Sequence, residues 1–251
     1  MLRAKTIMIN TYSSSGVHIY FGDASSGVPR ELCDTFIAQK DLGAHPVFNM
    51  VKDQLNLEAL ITLKQVHGDN GYIVSATTLE LLTHTKQTGD YLLTNLKHIG
   101  LAVYTADCLP VILYDPKHQA AAICHSGWPG SVKSIAIKAL HAMQDAYGTD
   151  LEDIQVFFGP SALICCYQVQ DEFRSHVKNM PYAPQLFRQD ADNRLFFDLS
   201  LLNKLQLQSI GISDQVINCD YNTCTIDNTC FCSYRRERDR ALRQLTVIAL
   251  N

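Results

Sequence analysis

Apolar and polar positions divide this chain into short buried strands and a few amphipathic helices. Residues 100–105 and 111–114 are β-rich apolar runs, and residues 120–124 form a third. Runs of that length, apolar at successive positions, read as strands covered on both faces. Asp115-Pro116-Lys117-His118 separates the last two and is a turn signal. A hairpin with its turn centred between Pro116 and Lys117 sets Cys108 directly opposite His125. Directly opposed residues have Cβ atoms ~4.5–5.5 Å apart.

Beyond His125 the period changes. Val132, Ile135, Ala136, Ala139, Leu140, Met143 and Tyr147 recur at helical spacing, with Pro129 suited to the first turn and Gly148 to the stop. The pattern predicts one helix that starts beside His125, where free N–H groups favour an anion. Other strand-like runs lie at 17–21, 59–66, 91–94, 154–158, 195–199, 216–219 and 245–250. Residues 48–55 and 200–210 read as helices, the second stopped by Gly211, and 165–169 lead into a helix ending at Val177. Residues 22–29 form a Gly/Ser loop. No regular βαβ rhythm emerges. The expectation is a mixed α/β or α+β layered fold, one domain over 1–251, and neither a Rossmann fold nor a (β/α)8 barrel.

Composition narrows the function classes. With 47% apolar and 18% charged residues, the 251-residue chain can bury a sizeable core. A net charge of -4 gives no electrostatic case for nucleic acid or an anionic membrane as partner. No segment approaches the ~20 apolar residues of a membrane span. Residues 1–22 lack a secretory pattern, so the nine cysteines are expected as reduced thiols in a cytoplasm, without a disulfide framework.

Three apolar runs each end at a metal-ligand side chain: His67 in Gln65-Val66-His67-Gly68, Cys108 in Ala106-Asp107-Cys108-Leu109-Pro110, and His125 in Cys124-His125-Ser126-Gly127-Trp128. A catalytic zinc site uses three protein ligands and leaves a fourth position open. Three readings of this pattern stand side by side. His67, Cys108 and His125 can converge on a metal; Cys108 can be a nucleophile with His125 as its base; or the residues can be buried strand ends. In the metal reading Asp107 is a candidate general base or support for the ligands. The charge run 233–240 reads as a solvated surface, or Arg235 and Arg236 recognise a phosphate or carboxylate. Cysteines 219, 224, 230 and 232 match no common zinc spacing. Cys165 and Cys166, read as extended, point to opposite sides and cannot easily share a metal.

At these residues the chain resembles the laccase-domain proteins. These are also known as multicopper polyphenol oxidases, purine nucleoside phosphorylases and, in one bacterial branch, peptidoglycan-editing factors. The likeness runs from about Leu60 to the C-terminus. It is carried by Gln65-Val66-His67-Gly68, Gly89-Asp90-Tyr91-Leu92-Leu93-Thr94, Thr105-Ala106-Asp107-Cys108-Leu109-Pro110-Val111 and Cys124-His125-Ser126-Gly127-Trp128-Pro129-Gly130. Gly159-Pro160-Ser161, Cys165-Cys166-Tyr167, Phe197-Asp198-Leu199, Cys224-Thr225, Ser233-Tyr234-Arg235-Arg236 and Arg243-Gln244 follow in order. The resemblance implies a layered α/β fold, also compared with a toxin family of cysteine hydrolases. It implies zinc on His67, Cys108 and His125. It implies phosphorolysis of adenosine, inosine, guanosine and methylthioadenosine, with adenosine deamination at the same site. Purine nucleoside and phosphate are then the partners, and copper is the alternative metal.

The chain departs from the family pattern at Pro129, near Phe21 to Ser25 and at Asn49-Met50, losing an arginine that would contact an anion at each, and between Ser161 and Gln168, losing two special backbone positions and a Glu. Weakened phosphate recognition is therefore expected, with the metal ligands retained. The rival readings are a Cys108–His125 hydrolase acting on peptidoglycan precursors, a copper polyphenol oxidase and a zinc-binding member without turnover.

Overall fold

The structure is a computed structural model that describes residues 10–34 and 45–251; the first nine residues of the segment read as lacking an export signal lie outside it. Two sheets carry the fold. The first has the strand order β1 (Asn10–Ser14), β2 (Val17–Phe21), β14 (Gln244–Leu250), β6 (Ile99–Thr105) and β3 (Ala59–Ile61). The second runs β13 (Ile217–Asn218), β9 (Gln155–Phe158), β7 (Leu109–Asp115), β8 (Ala120–Ser126), β5 (Tyr91–Thr94) and β4 (Gly71–Val74). A small three-stranded sheet, β10 (Gln168–Val169), β12 (Leu195–Phe197) and β11 (Phe187–Gln189), stands apart. Both large sheets mix parallel and antiparallel pairs, as the mixed α/β expectation requires.

Strand alternation explains why the central runs are apolar at every position. In β7, Leu109, Val111 and Leu113 pack towards the helices Ile135–Tyr147 and Leu199–Ser209, while Ile112 and Tyr114 face the other sheet. In β14, Ile248 and Leu250 meet that inter-sheet layer, while Leu245, Val247 and Ala249 pack on the helix Pro46–Leu55. The layers are therefore helix, sheet, sheet, helices. All seven residues of β6, β7, β8 and β14 are buried. Among the described residues no helix is long and apolar enough to cross a membrane.

The hairpin register differs from the expected one. Asp115 pairs with Ala120 and Pro110 with His125, so the turn is centred between Lys117 and His118. The Asp115 carboxylate accepts the N–H groups of Lys117 (2.9 Å) and His118 (3.0 Å), which draws both residues into the turn. The shift moves Cys108 from directly opposite His125 to one diagonal step away. It is a slip of two residues, so both side chains stay on the inter-sheet face; a slip of one would have parted them.

Two helix expectations also change. The helix after His125 breaks into Trp128–Val132 and Ile135–Tyr147, with Ser134 at φ 60. The buried amide of Gln206 donates to Ser131 O (2.8 Å) and Ser134 Oγ (3.0 Å), and Asn203 donates to Ser131 Oγ (3.0 Å). These contacts from the neighbouring helix hold the break. Only a five-residue helix therefore starts beside His125, too short to make an anion site. Residues 163–177 form a turn, the strand β10 and the 3-10 segment Asp171–His176 rather than one helix, because β10 pairs with β12.

The inter-sheet layer is the mechanical base of the site. Ile123→Ala removes a fully buried side chain from it. The expected cost is about 2–5 kcal/mol, read as a lowered denaturant midpoint with an unchanged slope. A midpoint equal to wild type would mean that the layer repacks.

Candidate metal centre

His67, Cys108 and His125 come together at one end of the inter-sheet layer, where β7 begins and β8 ends. Their ligand atoms all lie within 4.8 Å of one another. His125 is buried, Cys108 half-buried and His67 exposed. The two imidazole rings meet edge to face, with centroids 4.7 Å apart.

His67 is placed by the segment that follows β3. The Gln65 side chain imitates strand pairing against β6: its amide donates to Tyr104 O (2.8 Å), and its carbonyl accepts Tyr104 N–H (2.7 Å). The chain then turns at Val66-His67-Gly68, with His67 at φ 58. A left-handed residue other than glycine costs ~1–2 kcal/mol. The Asp90 carboxylate offsets this by accepting the N–H groups of Val66 (3.2 Å), His67 (3.0 Å) and Gly68 (2.7 Å).

The same carboxylate sets His125. Asp90 is fully buried, and Oδ1 lies 2.8 Å from His125 Nδ1. A carboxylate below the usual range only accepts, so Nδ1 carries the proton and Nε2 is left to bind a ligand. Burial works to raise the Asp90 pKa, but His125 and the backbone donors outweigh it and hold it low. Asp90 reaches this position because β5 pairs with β8: Tyr91 faces Cys124, and His125 N–H donates to Asp90 O (2.7 Å).

Cys108 follows Asp107, which sits at φ 86. Burial raises the thiol pKa, but the imidazoles of His125 and His67 overcome it and bring it down to about 6. Burial lowers the His125 pKa, whereas Cys108 and Asp90 raise it, to about 9. One thiolate and two imidazoles, one of them backed by a carboxylate, suit a borderline-soft divalent ion. The fit is close: a Cβ on Gly127 would lie 2.7 Å from His67 Cδ2 and 3.2 Å from Cys108 Sγ.

The three ligands open on a cavity of about 600 Å³, within the range of small-molecule sites. Trp128, Tyr104, Tyr167 and Tyr234 line it with aromatic surface. Arg30, Arg235, Arg238 and Arg243 line it with charge; Arg235 and Arg243 come from the motifs that carry the likeness, and Arg30 and Arg238 from outside them. Arg30 is carried on the short helix Arg30–Asp34, whose Leu32 and Cys33 carbonyls accept the buried ammonium of Lys86 (3.1 and 2.8 Å). Arg235 packs over the Tyr167 ring and donates to Gln168 O (2.7 Å).

Arg236 takes a different place from the one expected. Its guanidinium donates to the carbonyls of Thr225, Ile226 and Phe231 and to Glu237 Oε1, and it is absent from the cavity wall. A guanidinium has five N–H donors, and all five are engaged, so Arg236 ties the 225–231 loop. Asp107 does line the cavity, with both carboxylate oxygens engaged: Oδ1 accepts Thr225 Oγ1–H (2.7 Å) and Oδ2 accepts Arg235 N–H (2.6 Å). Sequence reasoning gave no role to Asp90, Gln65 or Arg243, although all three stand in the motifs that carry the likeness, nor to the cavity residues Arg30 and Arg238. For Asp90 a signal existed, an acidic residue immediately before a strand, but nothing in sequence shows which strand it joins.

A family model described as multi-copper polyphenol oxidoreductase laccase matches residues 47–251. A Borreliella burgdorferi protein named purine nucleoside phosphorylase is 32% identical over 180 residues, covering 70% of this chain and 74% of that one. The Bacillus subtilis purine nucleoside phosphorylase YlmD is 30% identical over 162 residues, covering 64% of this chain. The match spans 58% of the B. subtilis protein's length and 38% of that of a human relative, so it covers only part of either. The crystal structure of Bacillus licheniformis hypothetical protein YfiH superposes with a TM-score of 0.78 at 26% identity, covering 94% of this chain and 93% of that one. YlmD from Geobacillus stearothermophilus has the same fold, with a TM-score of 0.79 at 22% identity, covering 97% and 99%.

Two measurements check this geometry. Asp90→Asn keeps the shape but removes the charge that orients His125; zinc affinity against a chromophoric chelator should fall ~10–100-fold. Unchanged affinity would separate Asp90 from the ligands. In metal-free protein the Cys108 thiolate population rises through pH about 6, below the ordinary thiol value. Alkylation of Cys108 should follow that midpoint, and His125→Ala should move it upward. A wild-type midpoint near ~8.5, the ordinary thiol value, would contradict the arrangement.

Proposed function

The chain belongs to the family described as multi-copper polyphenol oxidoreductase laccase, and from that membership we propose that it is a zinc-dependent purine nucleoside phosphorylase that also deaminates adenosine. The observation that carries this reading is the three-ligand group opening on a cavity lined by both arginines and aromatic rings. Relatives named purine nucleoside phosphorylase support an enzyme acting on nucleoside and phosphate. We take residues 1–251 as one domain and its free thiols as those of a cytoplasmic protein.

In this reading His67, Cys108 and His125 hold zinc, which supplies Lewis acidity at its open coordination position. The chain's own groups do the remaining work. Trp128 and Tyr167 offer flat apolar surface to the purine. Arg235, with Arg30, Arg238 and Arg243, neutralises phosphate and sets it beside the ribose anomeric carbon. Phosphorolysis then forms the carbon–oxygen bond as the glycosidic bond breaks, and the electron pair leaves with the base. Asp107, held in place by the donors of Thr225 and Arg235, is our candidate to carry a proton in deamination, at Oδ2. Adenosine, inosine, guanosine and methylthioadenosine are the substrates proposed.

One observation favours a second reading. Cys108 Sγ lies within 4.8 Å of an imidazole nitrogen of His125, whose ring pushes the thiol pKa down, the arrangement of a cysteine nucleophile with its histidine base. Copper suits the same donors and would make the protein a polyphenol oxidase.

Elemental analysis of purified protein, with product analysis on adenosine and inosine with and without phosphate, separates these readings. Zinc should be present, adenine and hypoxanthine should form only with phosphate, and inosine should form from adenosine. Arg235→Ala should raise the phosphate KM by roughly 10–100-fold, the worth of one charge-assisted contact. Activity that survives complete metal removal supports the hydrolase, and copper with phenol oxidation supports the oxidase. Zinc with no product from any nucleoside leaves a binding protein.

A further inference from the structure

A second group of metal-ligating side chains lies behind the cavity wall. The sulfurs of Cys165, Cys166 and Cys224 are all within 4.8 Å of one another. Sequence reasoning set the adjacent pair on opposite sides of an extended segment. The segment is instead a turn, closed by hydrogen bonds from Cys166 N and Tyr167 N to Leu163 O (3.0 and 2.9 Å), and the turn brings both thiols to the same side. Of the C-terminal cysteines, only Cys224 joins them; Cys219, Cys230 and Cys232 are outside the group.

Two features mark it as more than a chance cluster. The two segments are fixed to each other by their backbones: Ser161 N–H donates to Thr223 O (3.0 Å) and Thr225 N–H to Ser161 O (2.9 Å), a bridge that seats Cys224 beside the turn. The exposure is graded as in a ligand cage with a way in: Cys224 is buried, Cys166 half-buried and Cys165 exposed. Zinc–sulfur bonds of ~2.3 Å place tetrahedral sulfurs about 3.8 Å apart, so only a small closure of the triangle is needed.

We propose that Cys165, Cys166 and Cys224 form a second metal site, which takes a thiophilic d10 cation, Zn(II) or Cu(I). Three thiolates complete a trigonal Cu(I) site, and water or the neighbouring Asp227 completes a tetrahedral zinc site. The ion ties residues 161–167 to residues 224–228. Both segments hold Asp107: Ala162 N–H donates to Asp107 O (2.8 Å) and Thr225 Oγ1–H to its carboxylate (2.7 Å). Tyr167 of the first segment also lines the cavity. Occupancy therefore stiffens the wall that faces the first centre, without contacting substrate.

Cys108→Ser isolates the new site from the first, and Cys166→Ser removes a half-buried thiol from it. After loading with zinc or, anaerobically, with Cu(I), elemental analysis should find one ion per chain in each variant, two in wild type and none in the double variant. Whichever ion survives gel filtration against glutathione identifies the native cation. Cobalt loading of Cys108→Ser should give a thiolate charge-transfer band that Cys166→Ser abolishes. Mass spectrometry after alkylation gives an independent reading if a variant folds poorly. In wild-type protein, metal should protect Cys165 at least tenfold, while exposed Cys219 and Cys230 label equally with and without it. The proposal is overturned if metal-loaded Cys108→Ser holds no ion, if Cys165 labels at the same rate in both states, or if the cluster is isolated as a disulfide.

Discussion

The buried Asp90 carboxylate is the group on which the site depends. It accepts three consecutive N–H groups from residues 66–68 and one ring proton from His125, so a single anion positions two of the three candidate ligands. The arrangement is self-consistent in energy. An unpaired buried carboxylate would be costly, and so would a left-handed His67; each is stabilised by the contact that serves the other. The same contact leaves His125 Nε2 for coordination. Asp90 stands at the start of β5, whose pairing to β8 brings it beside His125.

The inter-sheet layer supplies the rigidity this requires. His125 closes one of the most deeply buried strands of the fold, while Cys108 begins just before another and His67 hangs from a loop. The rear of the centre is thus fixed and apolar, and the front is exposed and polar. Gly127 marks where the front approaches the rear too closely for any side chain beyond hydrogen. A site built in this way can hold an ion firmly and still present one face to the cavity.

Electrostatics in the cavity run against the charge of the whole chain. The protein carries a net charge of -4, yet four arginines line one cavity. Net charge governs long-range behaviour, whereas recognition of an anion depends on what sits within a few ångströms. Arg235 and Arg236 illustrate the point. They are neighbours in sequence, but one faces the cavity and the other spends all its donors on the 225–231 loop.

Much of the layer architecture was legible because strand burial on two faces writes itself as uninterrupted apolar runs. The runs of β6, β7, β8 and β14 and the helices Ile135–Tyr147 and Leu199–Ser209 follow from that rule. The candidate ligands His67, Cys108 and His125 were legible as side chains at the ends of such runs, and the structure brings their ligand atoms within 4.8 Å of one another. The hairpin was misplaced by two residues because Asp115 captures the turn through its side chain, yet face was preserved because strands have a period of two. Sequence could not place Asp90 beside His125, turn Arg236 away from Arg235, break the helix at Ser134 or gather Cys165, Cys166 and Cys224. Each of these depends on which distant segment arrives as neighbour. By itself, the sequence determined which runs are buried and which residues are candidates for chemistry, since both follow from local pattern. The tertiary structure alone decided which of them meet, because contacts between segments far apart in the chain are settled by pairing and packing, on which local pattern is silent.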